Sequence, residues 1–138
     1  MRDIYQYFDW FDRHVEDCGA ESVEFDFTVR GSTRGAIRGV IYFYDGSRLE
    51  ITERIRIENR RPVKKRYVYQ YISEGEAVFR YDNAPHHPDL PSYPHHKHVG
   101  LQRIAAVEPS LKQVLEEVVG LLKNVTPDAP KRRRTTKR

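Results

Sequence analysis

Cysteine is nearly missing from this chain. Cys18 stands alone, so no internal disulfide can form and the core has to hold without covalent staples. A single cysteine also fits a reducing compartment. Long apolar runs are missing too: nothing approaches the ~20 residues that a membrane-crossing helix needs. The opening MRDIYQYFDW mixes acids among its apolar residues and has no signal-peptide h-region. These absences predict a cytoplasmic protein with no membrane partner. A body-wide charge of one sign is lacking as well. The net charge of +4 comes from Lys131, Arg132, Arg133, Arg134, Lys137 and Arg138, and residues 1–130 carry 18 basic against 20 acidic side chains. The basicity belongs to a tail.

The length of 138 residues allows one domain with a moderate core. Ile4, Phe8, Phe11 and Val15 recur at helical spacing, which predicts an amphipathic helix over 3–17, capped by Asp3 and ending before Gly19. Val23, Phe25, Phe27 and Val29 then alternate with polar residues, the period of a strand wet on one face. A second strand carries Ile37, Gly39, Ile41 and Phe43, and Asp45-Gly46 makes a hairpin turn. The third, Arg48 to Glu58, has one apolar face that Glu53 interrupts, and the fourth presents Tyr67, Tyr69 and Tyr71 on one side. Ala77 to Asp82 is a short fifth, and residues 101–107 add a last extended piece. Pro109-Ser110 opens a helix with Leu111, Val114, Leu115, Val118, Leu121 and Leu122 on one face. The fold class is therefore α+β: an antiparallel meander of about five strands, an N-terminal and a C-terminal helix on its apolar face, and a Pro/His-rich loop after the last long strand. The domain spans 1–125, followed by a basic, disordered tail over 126–138.

That loop holds the concentration of unusual chemistry. Tyr81 to Gly100 reads YDNAPHHPDLPSYPHHKHVG and contains five of the six histidines, His86, His87, His95, His96 and His98. Pro85, Pro88, Pro91 and Pro94 recur at every third position, excluding a helix and predicting an extended polyproline-II segment. On that geometry His86, Asp89, Ser92 and His95 share one edge, and His87, Leu90, Tyr93 and His96 the next.

Two chemistries compete for these residues. His96 and His98 lie two apart and point the same way in a strand, so they can share a cation, with oxygen from Asp82 or Asp89. A straight segment, however, holds His86 and His95 about 28 Å apart at ~3.1 Å per residue, so the two histidine pairs meet only if the chain folds back near Asp89–Ser92, and there is no cysteine cluster or HExxH. The sequence therefore predicts no cofactor, with a divalent metal as the alternative. Acid–base chemistry uses the same side chains without a metal: imidazoles trade protons near neutral pH while Lys97, Arg80 or a sheet arginine holds a phosphate. The competing bland reading makes these imidazoles solvated or engaged with their own backbone. Glu53 is a further candidate, as a carboxylate in a cleft or as an unremarkable strand residue. The tyrosines and Lys64, Lys65 and Arg66 fit a single-strand nucleic-acid surface, but sheet packing explains them as well.

The motif Asp82-Asn83-Ala84-Pro85-His86-His87-Pro88 followed by Ser92-Tyr93-Pro94-His95-His96-Lys97-His98 resembles the signature of the TumE-type toxins of prokaryotic toxin–antitoxin pairs. The leading helix, the hairpins before the motif and the helix after it are also similar, so the resemblance spans about residues 1–125. It implies a growth-inhibiting protein silenced by a cognate antitoxin encoded nearby, and it carries over Asp82, His86, His87, His95, His96 and His98 as motif positions. It does not name a reaction. From the residues themselves we expect a metal-independent endoribonuclease acting on RNA, with His96, His98 and His86 as acid and base and Lys97 on the phosphate; His87, His95, Asp82 and Glu53 complete the candidate set. A non-catalytic binding module and a metal-dependent nuclease are the alternatives.

Overall fold

The computed structural model describes residues 1–123 in full and the backbone of Arg133–Lys137. Helix α1 (Ile4–Glu16) starts where Asp3 Oδ1 accepts a 3.0 Å bond from the Gln6 amide, supplying one of the acceptors that a helix N-terminus lacks. Strands β1 (Ser22–Arg30), β2 (Arg34–Tyr42), β3 (Arg48–Glu58), β4 (Arg61–Ser73) and β5 (Glu76–Asp82) form the expected meander. Positive φ at Asn59 and Arg60, and again at Glu74 and Gly75, makes the tight turns at the two ends of β4. Two short strands, β6 (His96–Val99) and β7 (Gln102–Ala105), follow, then helix α2 (Leu111–Leu121). A complete capping box opens α2: Ser110 Oγ accepts from the Gln113 amide, and Gln113 Oε1 accepts from the Ser110 amide.

The sheet order is β7-β6-β5-β4-β3-β2-β1-β8, antiparallel from β7 through β1. Two strands beyond the expected five come from the histidine stretch and the piece after Gly100, which pair with each other and with β5. The eighth, β8 (Arg133–Lys137), runs parallel to β1. It falls within the expected basic tail, whose remaining residues lie outside those described.

One face of the sheet is covered. Phe8 and Phe11 of α1 pack edge-on against Phe25 and Phe27 at 4.8 to 6.1 Å between ring centres. Leu111, Val114, Leu115 and Val118 of α2 join the same core, which buries Tyr67, Tyr69 and Tyr71 completely. Those three tyrosines are therefore packing residues. Gly39 is required here because Phe25 lies across it: a Cβ would stand 2.1 Å from the Glu24 carbonyl oxygen. No helix of the described residues lies on the opposite face. Along one row of register partners it presents Asp26, Arg38, Thr52, Val68, Asp82 and His96. Glu24, Val40, Glu50, Gln70, Arg80, His98 and Arg103 form the next row. No helix of the described residues is long and apolar enough to cross a membrane.

Candidate functional site

The histidine stretch is not a straight rod. The Leu90 amide donates to the His87 carbonyl at 3.1 Å, the Tyr93 amide to Leu90 at 3.0 Å, and the His95 amide to Ser92 at 2.8 Å. Each bond closes a turn of four residues. Pro88 and Pro91 sit second in the first two turns, where a fixed φ near −65° is already correct. A proline period of three therefore suits consecutive turns as well as polyproline II, and in turns the amides between the rings find acceptors. The chain doubles back over Asp89–Ser92 and returns as β6 beside β5.

Two contacts pin the returned loop. Arg103 of β7 places Nη1 and Nη2 on the two oxygens of Asp89, both at 2.9 Å. Ser92 Oγ donates to the His95 carbonyl at 2.5 Å and accepts from the Ala106 amide at 3.0 Å.

The fold-back brings His87 to His96 and His98. One ring nitrogen from each lies within 4.8 Å of the other two, the one such group of three among the described residues. His96 is 2% exposed, and its Nδ1 is 3.0 Å from the Pro94 carbonyl. A carbonyl only accepts, so Nδ1 carries a proton, and in the neutral ring the lone pair is then on Nε2. His87 has its pKa lowered by desolvation, with Arg103 and His96 adding to it. Burial, then His96 and His87, lowers that of His98.

Asp82 sits beside the group without joining it. Its Oδ1 accepts from Arg66 at 2.9 Å and from the Ala84 amide at 2.6 Å, and its Oδ2 from Arg80 Nε at 3.0 Å. Burial opposes ionisation of this carboxyl, but the Ala84 amide and the two guanidiniums outweigh it and hold the pKa below the usual value. Arg66, from β4, stands opposite Arg54 of β3. Arg54 lines a concavity of about 720 Å³ on this side of the sheet together with Arg30, Arg34, Arg56 and Lys65. Arg66 and Arg80, both paired with Asp82, stand between that concavity and the imidazoles.

Other expected site residues are placed elsewhere. Strand alternation sends Lys97 to the helix-covered face, where its Nζ is 2.7 Å from Glu117 of α2 and lies over the Tyr81 ring. Glu53 is on that same face, 0% exposed, accepting from Tyr7 Oη at 2.5 Å and from Tyr69 Oη. Burial raises its pKa despite Lys64 and both phenols, and it borders a cavity of about 290 Å³ lined by Tyr7 and Trp10 of α1 and by the start of α2. His95 stacks on Tyr67, with Nδ1 3.0 Å from the phenol oxygen, and His86 is exposed beside His87. Arg66 and Arg103 were not singled out in the sequence as partners of Asp82 and Asp89. Both partnerships depend on strand register, which local patterning does not report.

The comparisons agree with the motif. The family model described as Toxin TumE matches residues 11–125, from the middle of α1 through α2 and across the entire histidine stretch. No curated protein and no solved structure matches the chain. The chain belongs to the TumE family and is a toxin of a toxin–antitoxin system.

Proposed function

We propose that this toxin arrests growth by cleaving RNA in the cytoplasm at the His87, His96 and His98 group, and that an antitoxin encoded nearby blocks it. The observation that carries this reading is the convergence of three imidazoles on the sheet face that also holds the arginine-lined concavity. A phosphodiester backbone is drawn to such a concavity by charge, independently of sequence. Cleavage then requires proton transfer at the attacking and leaving oxygens and neutralisation of charge on phosphorus. Imidazoles supply the first in the expected metal-independent scheme, and the guanidiniums of the face supply the second.

Purified full-length protein incubated with a single-stranded RNA and with DNA of the same sequence tests the reading. RNA cut with multiple turnovers, and cutting lost in His98→Ala, is the expected result. Stoichiometric binding to RNA with no strand scission would favour the second reading, a binding module that uses the same cationic face.

A further inference from the structure

The three imidazoles are oriented as well as close. Their ring centres are 4.9 Å apart for His87 and His96, 5.6 Å for His87 and His98, and 4.9 Å for His96 and His98, with interplanar angles of 85°, 64° and 84°. A metal–nitrogen bond of about 2 Å places an imidazole centre ~3.2 Å from the ion, so three rings at tetrahedral angles have centres about 5 Å apart. Ligand nitrogens around such an ion stand ~3.3 Å apart. The nitrogens, within 4.8 Å of one another, have to close by up to about 1.5 Å, and His87 and His98 are not fully buried.

The surroundings match a ligand set. His96 Nδ1–H is tied to the Pro94 carbonyl, the kind of outer bond that fixes a metal-binding imidazole in one tautomer and leaves Nε2 as its ligand atom. His98 follows on the same strand two residues later, on the same face. His87 arrives from the other arm of the loop, held there through the Arg103–Asp89 fork. Asp82 Oδ1 is 4.0 Å from His96 Nε2, but both its oxygens are bound by cations and an amide. The available donors are therefore three nitrogens. Magnesium and calcium require oxygen donors, whereas imidazole suits zinc, cobalt, nickel and copper.

We infer that His87, His96 and His98 bind one divalent first-row transition ion of the zinc type, with the remaining coordination position open toward the arginine-bearing face. This deepens the RNA-cleavage reading by giving its site a cofactor in place of the metal-free scheme. A cation there neutralises charge on a phosphate brought to that face. Binding of the ion itself does not depend on that reading.

The test uses full-length protein freed of metal by a chelator and titrated with Zn²⁺ or Co²⁺ alone. The expected result is one equivalent bound, with the visible absorption of four-coordinate cobalt and no competition from excess Mg²⁺. His87→Ala and His98→Ala should each weaken zinc binding by about 100-fold or more, a ligand counting for at least as much as an outer-shell partner, while His86→Ala leaves it unchanged. Both ligand variants sit at positions that are not fully buried, and circular dichroism of the metal-free forms verifies that they fold. Failure of the wild type to bind stoichiometrically, or equal binding by folded His87→Ala and His98→Ala, overturns the inference. Zinc bound in this pattern with RNA uncut upholds it and removes the RNase reading. RNA cut by chelator-treated protein that binds no zinc does the reverse.

Discussion

Asp82 and His96 face each other across β5 and β6, with the imidazole Nε2 4.0 Å from the carboxylate Oδ1. That is too long for a hydrogen bond, and the reason is on the carboxylate side: Oδ1 already accepts from Arg66 and the Ala84 amide. Asp82 therefore holds the start of the loop and the guanidiniums in place, and its carboxylate stays out of hydrogen-bond reach of His96 Nε2. Asp82→Asn keeps the shape but removes the charge that both guanidiniums compensate. With Arg66 and Arg80 each partly exposed, we expect a loss on the order of 2 kcal/mol, measured by urea unfolding, accompanied by weaker growth arrest.

Lys97 separates a structural from a catalytic role. It ties β6 to α2 through Glu117 from the face opposite the histidines. Lys97→Met should cost about 1 kcal/mol of stability and leave the salt dependence of RNA binding unaltered. A loss of phosphate contact would instead flatten that dependence.

Arg54 is the converse case, exposed on the uncovered face and bordering the cationic concavity. Arg54→Ala should leave the melting temperature unchanged and weaken RNA binding. The slope of log affinity against log salt should fall in magnitude by about 0.7, the release of one counterion from a single strand. Fluorescence anisotropy across a salt series measures this.

Glu53 makes a pH prediction. Its folded-state pKa is raised, chiefly by burial, so the folded protein holds this proton more tightly than the unfolded chain does. The resulting stability is fully present below the unfolded value of about 4.3 and is lost as pH rises through the folded value. Unfolding free energies measured from acid to neutral pH should show the difference between wild type and Glu53→Gln moving in favour of the variant as pH increases.

Much of this was legible in the sequence. Alternation over Val23–Val29 and Leu49–Ile57, and helical spacing from Ile4 to Val15, fixed the strands, the helices and the covered face. The histidine stretch stood out by composition. Its path did not, because a proline at every third residue satisfies both an extended helix and a run of turns; the choice falls to which amides find acceptors after the chain has doubled back. That ambiguity left the meeting of His87 with His96 and His98 conditional on a fold-back near Asp89–Ser92, which the turns supply. The same alternation that aligned His96 with His98 already placed Lys97 on the other face, so its distance from them was readable from the strand period. The partners of Asp82 and Asp89 were not, since Arg66 and Arg103 arrive through pairings between strands.

The most direct measurement of the central claim is growth arrest on induction of the chain in cells without its antitoxin, with total RNA sampled through the arrest. Wild type, His87→Ala and His98→Ala are compared at equal soluble levels. The account predicts arrest with new RNA ends in the wild type, and neither arrest nor new ends in either variant. Full arrest by both variants, or arrest of the wild type with its RNA intact, would contradict it.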